Sequence, residues 1–130
     1  MQRRTGFEVG IFNDGNAACW AELIAFESPR PTNAIYLLIS TYVAAGIVGE
    51  GTLWAGPTGN SANLGAMLVQ AGDQEARIVH FMASVSALVE QLAAKGHKVD
   101  AGSPQSWDWD SIEPVVESWI GTSAGALARV

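Results

Sequence analysis

Residues 7–26 read Phe7-Glu8-Val9-Gly10-Ile11-Phe12-Asn13-Asp14-Gly15-Asn16-Ala17-Ala18-Cys19-Trp20-Ala21-Glu22-Leu23-Ile24-Ala25-Phe26. Two apolar runs flank Asp14-Gly15, a dipeptide that supplies the positive φ a type I′ turn needs. The stretch is therefore expected as an antiparallel β-hairpin. A two-residue loop pairs Phe12 with Ala17, Gly10 with Cys19 and Glu8 with Ala21 on one face. It pairs Ile11 with Ala18, Val9 with Trp20 and Phe7 with Glu22 on the other. The second face is the more apolar and should meet the core.

Working outward, Ser28-Pro29-Arg30-Pro31-Thr32 is a loop, because two prolines fix φ and remove donors. Residues 34–48 (AIYLLISTYVAAGIV) are apolar nearly throughout. A helix capped by Thr32 or Asn33 would place Ile35, Leu38, Ile39, Tyr42 and Val43 on one stripe, and helix is the favoured reading. The β-branched and aromatic content also permits a buried strand. Residues 49–63 are a glycine-rich loop or short strand, with a short helix over Gly65 to Gln70. Residues 74–95 carry the clearest helical pattern: Asp73 as N-cap, a stripe from Ile78 to Leu92, Lys95 in the last turn and Gly96 just past the end. His97-Lys98-Val99 is expected as a short strand and Ala101 to Ser106 as a loop. Pro114 belongs in a first helical turn, so the last helix should start near Asp110–Glu113. Gly121 and Gly125 should weaken its end. The fold class expected is α+β: an N-terminal antiparallel β-hairpin or small sheet packed against three to four helices, with residues 1–130 forming a single domain.

Charge is the organising feature. Only 15% of the 130 residues are charged, against about 25% in ordinary soluble domains. Between Ser28 and Gly72 only Arg30 and Glu50 carry charge. Such a stretch suggests a surface covered by a partner or by another copy of the chain. The net charge is −6, and no basic run exceeds Arg3-Arg4. That argues against nucleic acid and anionic membrane as partners. The lone Cys19 cannot form an internal disulfide, the N-terminus has no apolar signal segment, and 34–48 is too short to span a bilayer. A cytoplasmic protein is expected.

Four constellations could carry chemistry. Trp107-Asp108-Trp109-Asp110 alternates aromatics with carboxylates and, with Trp54, makes a candidate interaction surface. The plainer reading is a helix entry with acidic residues on the positive end of the dipole. No EF-hand spacing supports a metal on Asp108 and Asp110. Glu22, beside Phe7 and Trp20 on the apolar hairpin face, is a candidate charged anchor of a pocket between that face and the 74–95 helix, with Trp20 and Tyr42, and it would prefer a cationic ligand. The plainer reading turns it to water. The glycines from Gly49 to Gly59 match neither dinucleotide-binding nor Walker fingerprints. His80 falls well off the apolar stripe, and His97 follows a helix end; with Cys19 they form no zinc pattern. Cys19 reads as a small packing residue.

Three functions are weighed. The first is a non-catalytic interaction domain that self-assembles, which leans away from enzymatic activity and needs no cofactor and no metal. The second is a small-molecule binder or modest enzyme built on Trp20, Glu22 and Tyr42. The third is an acidic inhibitor of a basic partner.

Overall fold

The computed structural model describes Arg4, residues 6–70 and residues 75–130. The fold is α+β, with small antiparallel sheets and four helices among the described residues. The chain divides into two compact units, Met1–Tyr36 with Gly46–Ala62, and Leu37–Ala45 with Asn63–Val130.

In the first unit the decisive stretch is not a hairpin. Residues 6–13 carry no regular structure, and Asp14–Ala25 form helix α1. Asn13 explains why. Its backbone is extended (φ −62°, ψ 143°) and its Oδ1 accepts the Asn16 N–H at 3.2 Å, as an N-cap does. Asp14 then sits in the first turn, where a carboxylate complements the helix dipole. Ala17, Ala18, Ala21, Glu22 and Leu23 are strong helix formers. The helix stops at Phe26, whose N–H donates to the Glu22 carbonyl, ahead of Pro29 and Pro31. Gly15, Asn16, Cys19 and Leu23 form its buried face.

The type I′ chemistry expected at Asp14-Gly15 occurs at Glu50-Gly51 instead. Both residues have positive φ, 54° and 75°. They join β2 (Val43–Gly49) to β3 (Thr52–Leu53), with Val48 opposite Leu53 and Gly49 opposite Thr52. Residues 34–48 are two strands joined by bends at 40–42 rather than the favoured helix: β1 (Ala34–Ile39) precedes β2, and the sheet order is β1-β2-β3. The residues of β1 alternate in exposure with the period of two that a pleated strand imposes. In the first unit Cys19, Leu23 and Val48 form the core, with Ala34, Tyr36 and Leu53 packed against them. A Cβ on Gly46 would overlap Cys19, so glycine lets α1 and β2 approach.

In the second unit the single helix expected over 74–95 is broken. Arg77–Ile78 is strand β5, paired antiparallel with β4 (Leu68–Val69), where a short helix was expected; a 3-10 turn occupies Leu64–Ala66. Helix α2 (His80–Ala83) is followed by Ser84, extended at ψ 160°. Ser84 caps α3 (Val85–Ala94), its Oγ accepting the Ala87 N–H at 3.1 Å. The expected cap Asp73 lies outside the described residues. At the other end Gly96 (φ 88°) and the His97 N–H to Leu92 carbonyl bond close a Schellman motif, as expected. His97-Lys98-Val99 is irregular rather than a strand. Helix α4 runs Trp109–Leu127, so Pro114 lies in its second turn rather than its first. The end does not fray. Ser123 and Ala126 are buried, and the Ser123 hydroxyl donates to the Met82 carbonyl, so packing outweighs the glycine penalty. One core cluster joins Val43, Val69, Val79, Met82, Ala83 and Ala126; another joins Leu88, Leu92, Trp107 and Ile112.

Candidate functional site

The N-terminus of α1 and the loop after β3 meet in the first unit and bring together a set of side-chain amides and one carboxylate. Asn13 Nδ2 donates to Asn60 Oδ1 at 3.2 Å. Asn16 Nδ2 donates to the Gly59 carbonyl at 3.1 Å. Gly59 holds φ 72°, a left-handed conformation that suits glycine, and Gly56 holds φ 67°. The Ser61 N–H donates to the Ala55 carbonyl, and the Ser61 hydroxyl donates to the Trp54 carbonyl. Both ties close the loop.

Two features of this cluster point to a ligand. Asn16 is 1% exposed, yet among the described residues its Oδ1 has no hydrogen-bond partner. A buried amide oxygen without a donor costs roughly 1–3 kcal/mol. Asp14 is exposed, and its Oδ1 accepts the Gly15 N–H at 2.9 Å, which fixes the carboxylate at the helix start. Amides offer donors and acceptors together, and a carboxylate accepts from several donors.

The sequence-derived candidates lie elsewhere. Trp20 and Glu22 are both exposed on α1, not on a hairpin face. Two positions apart on a helix, they do not face each other. Glu22 lines an apolar cavity of about 250 Å³ with Cys19, Leu23, Phe26 and Tyr36. Tyr42 is exposed in the second unit, its ring edge-on to His80 at 5.4 Å. Trp54 is exposed. Trp107 is not on a surface: it is buried in the second unit, and its Nε1 donates to the Asp100 carbonyl at 2.7 Å. Trp109, half-exposed, packs its ring 5.2 Å from that of Trp107. Asp108 and Asp110 are exposed at the start of α4, the helix-entry role of the plainer reading.

His80 was expected off the packed side, yet it is structural. Its Nδ1 accepts the Val43 N–H at 3.1 Å, and a Cβ at Gly65 would strike its ring. Cys19 is buried, and burial pushes its thiol above the ordinary value, which lowers the thiolate fraction a nucleophile needs. Asn13, Asp14, Asn16 and Asn60 were missed. The available signal was Asn13 directly before a run of helix formers, an N-cap pattern that the Asp-Gly turn reading displaced.

The model of the ROK family matches residues 1–101. The chain belongs to the ROK family. Along its whole length it is 30% identical to the N-acetylmannosamine kinase of Vibrio cholerae serotype O1, of which it covers 46%. The chain thus spans about half the length of that curated relative. The solved structure of a ROK hexokinase from Thermus thermophilus superposes on 95% of this chain and 43% of its own, with TM-score 0.66 and 25% identity. The Lmo2764 protein of Listeria monocytogenes shares the fold over 97% of this chain and 45% of its own, with TM-score 0.69 and 21% identity.

ROK membership overturns the expectation of a non-catalytic, self-assembling interaction domain of unknown function. It likewise displaces the acidic inhibitor. The Vibrio and Thermus relatives are named as an N-acetylmannosamine kinase and a hexokinase, and composition carried no trace of that. A low charge content describes how a surface meets water, not which chemistry a site performs.

Proposed function

We propose that this chain carries the sugar-binding part of a ROK sugar kinase, with the phosphoryl acceptor held at the start of α1. Asn13 and Asn60 hydrogen-bond the sugar hydroxyls, and the buried Asn16 holds the loop through the Gly59 carbonyl. Asp14 accepts the proton of the hydroxyl that attacks the phosphoryl donor. In that step a bond forms between the sugar oxygen and phosphorus, the bond from phosphorus to the donor's leaving oxygen breaks, and the proton passes to the Asp14 carboxylate. Catalysis of this kind is mostly positioning, and a carboxylate fixed by its own helix start is suited to it. The observation that carries the reading is the joining of the α1 N-terminus to the loop at Gly59 and Asn60, with Asp14 exposed beside it. An N-acetylated hexosamine is the acceptor favoured by the Vibrio relative's name, and a hexose by the Thermus one. In this reading the protein works in the cytoplasm and 1–130 folds as a single domain.

The test is titration calorimetry of the chain with N-acetylmannosamine and with glucose, repeated for Asp14→Asn and Asn60→Ala. Binding of one sugar, weakened about tenfold or more by Asn60→Ala, is expected, since a lost bond to a buried polar partner is worth ~1–3 kcal/mol. Absence of binding to either sugar, or equal binding by all variants, would overturn the reading.

A further inference from the structure

Helices α3 and α4 run antiparallel within the second unit: Leu92, near the end of α3, packs with Ile112, near the start of α4, and Met82, ahead of α3, receives the Ser123 hydroxyl. The same two helices line a groove of about 560 Å³, within the usual range of small-molecule sites. Ser111, Pro114, Val115 and Ser118 line it from α4 at i, i+3, i+4 and i+7, one face of the helix. Gln91, Ala94, Lys95 and His97 line it from α3 and the turn after it. Stripes at that spacing are ordinarily apolar where two helices meet, yet five of these eight residues are polar.

Charge is sorted around the groove. The chain holds thirteen acidic residues and seven basic ones, but no carboxylate lines the groove and Lys95 does. Asp110, Glu113 and Glu117 fall at i, i+3 and i+7 on the adjoining face of α4. Asp100 and Asp108 line a neighbouring depression instead. Among the described residues the side chains of Gln91, Lys95, His97 and Ser118 have no hydrogen-bond or ion-pair partner. The end of α3 does not compete for them, because the backbone N–H groups of Lys95, Gly96 and His97 already pair with the Gln91, Leu92 and Ala93 carbonyls. The groove therefore offers donors to an anion and holds no group that repels one.

Its length says more. His97 and Ser111 both line the neighbouring depression, so they share one end of the groove, and Ser118 stands two helical turns, about 10 Å, beyond Ser111. A free phosphate ion is too short to use both ends. We infer that the groove binds a small phosphorylated polyol, its phosphate on Lys95 and His97 and its hydroxyls on Gln91 and Ser118. Ala94, Pro114 and Val115 supply the apolar surface that the C–H face of a sugar ring needs. The anion preference stands on the groove alone; the choice of a sugar as the polyol rests on the sugar kinase reading, whose product is a sugar phosphate. The groove belongs to the second unit, whereas Asn13 and Asp14 belong to the first, so this is a separate site.

The experiment titrates the 15N-labelled 130-residue chain with glucose 6-phosphate, inorganic phosphate and glucose in turn and follows its nuclear magnetic resonance signals. Glucose 6-phosphate is expected to shift the Gln91 side-chain amide and the backbone amides of Lys95, His97 and Ser118, with an affinity about tenfold or more above that of inorganic phosphate. Glucose should leave those signals in place. Lys95→Gln should weaken glucose 6-phosphate binding about tenfold or more. Ser118→Ala should weaken it while leaving inorganic phosphate binding unchanged. Three results would each overturn the proposal: no shifts along the groove with glucose 6-phosphate, equal affinity for it and for inorganic phosphate or glucose, or unchanged binding by either variant. The comparison of the three ligands is made on the unaltered chain, so it decides the matter even if a variant fails to fold. Glucose shifts at Asn13 and Asn60 report the sugar site alone, so the two readings fail separately.

Discussion

Asn13 Nδ2 donates to Asn60 Oδ1 at 3.2 Å, joining two residues 47 positions apart. The same Asn13 caps α1 through its Oδ1. One side chain therefore starts a helix and holds a loop. Asn13→Ala should remove both bonds. Loss of an N-cap alone costs about 1 kcal/mol, and Asn60 loses its donor as well. Urea unfolding should report a loss of roughly 1–2 kcal/mol. An unchanged midpoint would show that neither bond matters in solution.

The approach of α1 to β2 gives a second test. A Cβ at residue 46 would overlap the Cys19 β carbon and lie 2.9 Å from its Sγ and 3.0 Å from the Gly15 carbonyl. Gly46→Ala should destabilise the chain by about 1–3 kcal/mol, the range for overpacking a filled core. Adding Cys19→Ala should not rescue it, because the overlap is with a carbon that alanine keeps. Equal stability of Gly46→Ala and the parent in urea would contradict this packing.

Burial raises the Cys19 thiol above its ordinary value. Its folded state therefore favours the neutral thiol. Between the unfolded and folded values the unfolded chain binds fewer protons, so Cys19 makes stability fall as pH rises beyond about 8.5. Cys19→Ala should flatten that alkaline decline. Iodoacetamide should modify the native thiol far more slowly than the same thiol in urea, and equal rates would contradict its burial.

Asp100 moves the other way. The Gly102 N–H, at 2.9 Å from Oδ1, and then the Ser103 side chain hold its carboxyl below the usual carboxylate range. Its contribution to stability is present above the unfolded carboxyl value of about 3.9 and is lost as pH falls through the lower folded value. Asp100→Asn should remove part of the acid-induced loss seen in unfolding midpoints between about pH 4 and pH 2. An identical acid profile would contradict the assignment.

Much of the fold class was legible in the sequence, and the errors are instructive. Gly96 past a helix end and the apolar face of α3 up to Leu92 are local signals, and they were read correctly. Asn13-Asp14-Gly15 was ambiguous, because the dipeptide that makes a type I′ turn also makes the first turn of a capped helix. What decides is the sequence that follows, and Ala17 to Leu23 favours helix. Residues 34–48 hid their period because both faces of β2 are largely covered, which erases alternation. Ser84 broke a long helical stripe that periodicity alone could not divide. The candidate site was legible only in half: Asn13 and Asp14 are visible as a pair, but Gly59 and Asn60 reach them only through the fold.

The sugar site is tested most directly by nuclear magnetic resonance of the 15N-labelled chain titrated with N-acetylmannosamine and with glucose. The account predicts that one sugar shifts the side-chain amides of Asn13, Asn16 and Asn60 and the backbone amides of Asp14 and Gly15, and that Asp14→Ala reduces those shifts. Shifts confined to other regions, such as the groove lined by Gln91, Lys95 and Ser118, or no shifts with either sugar, would contradict it.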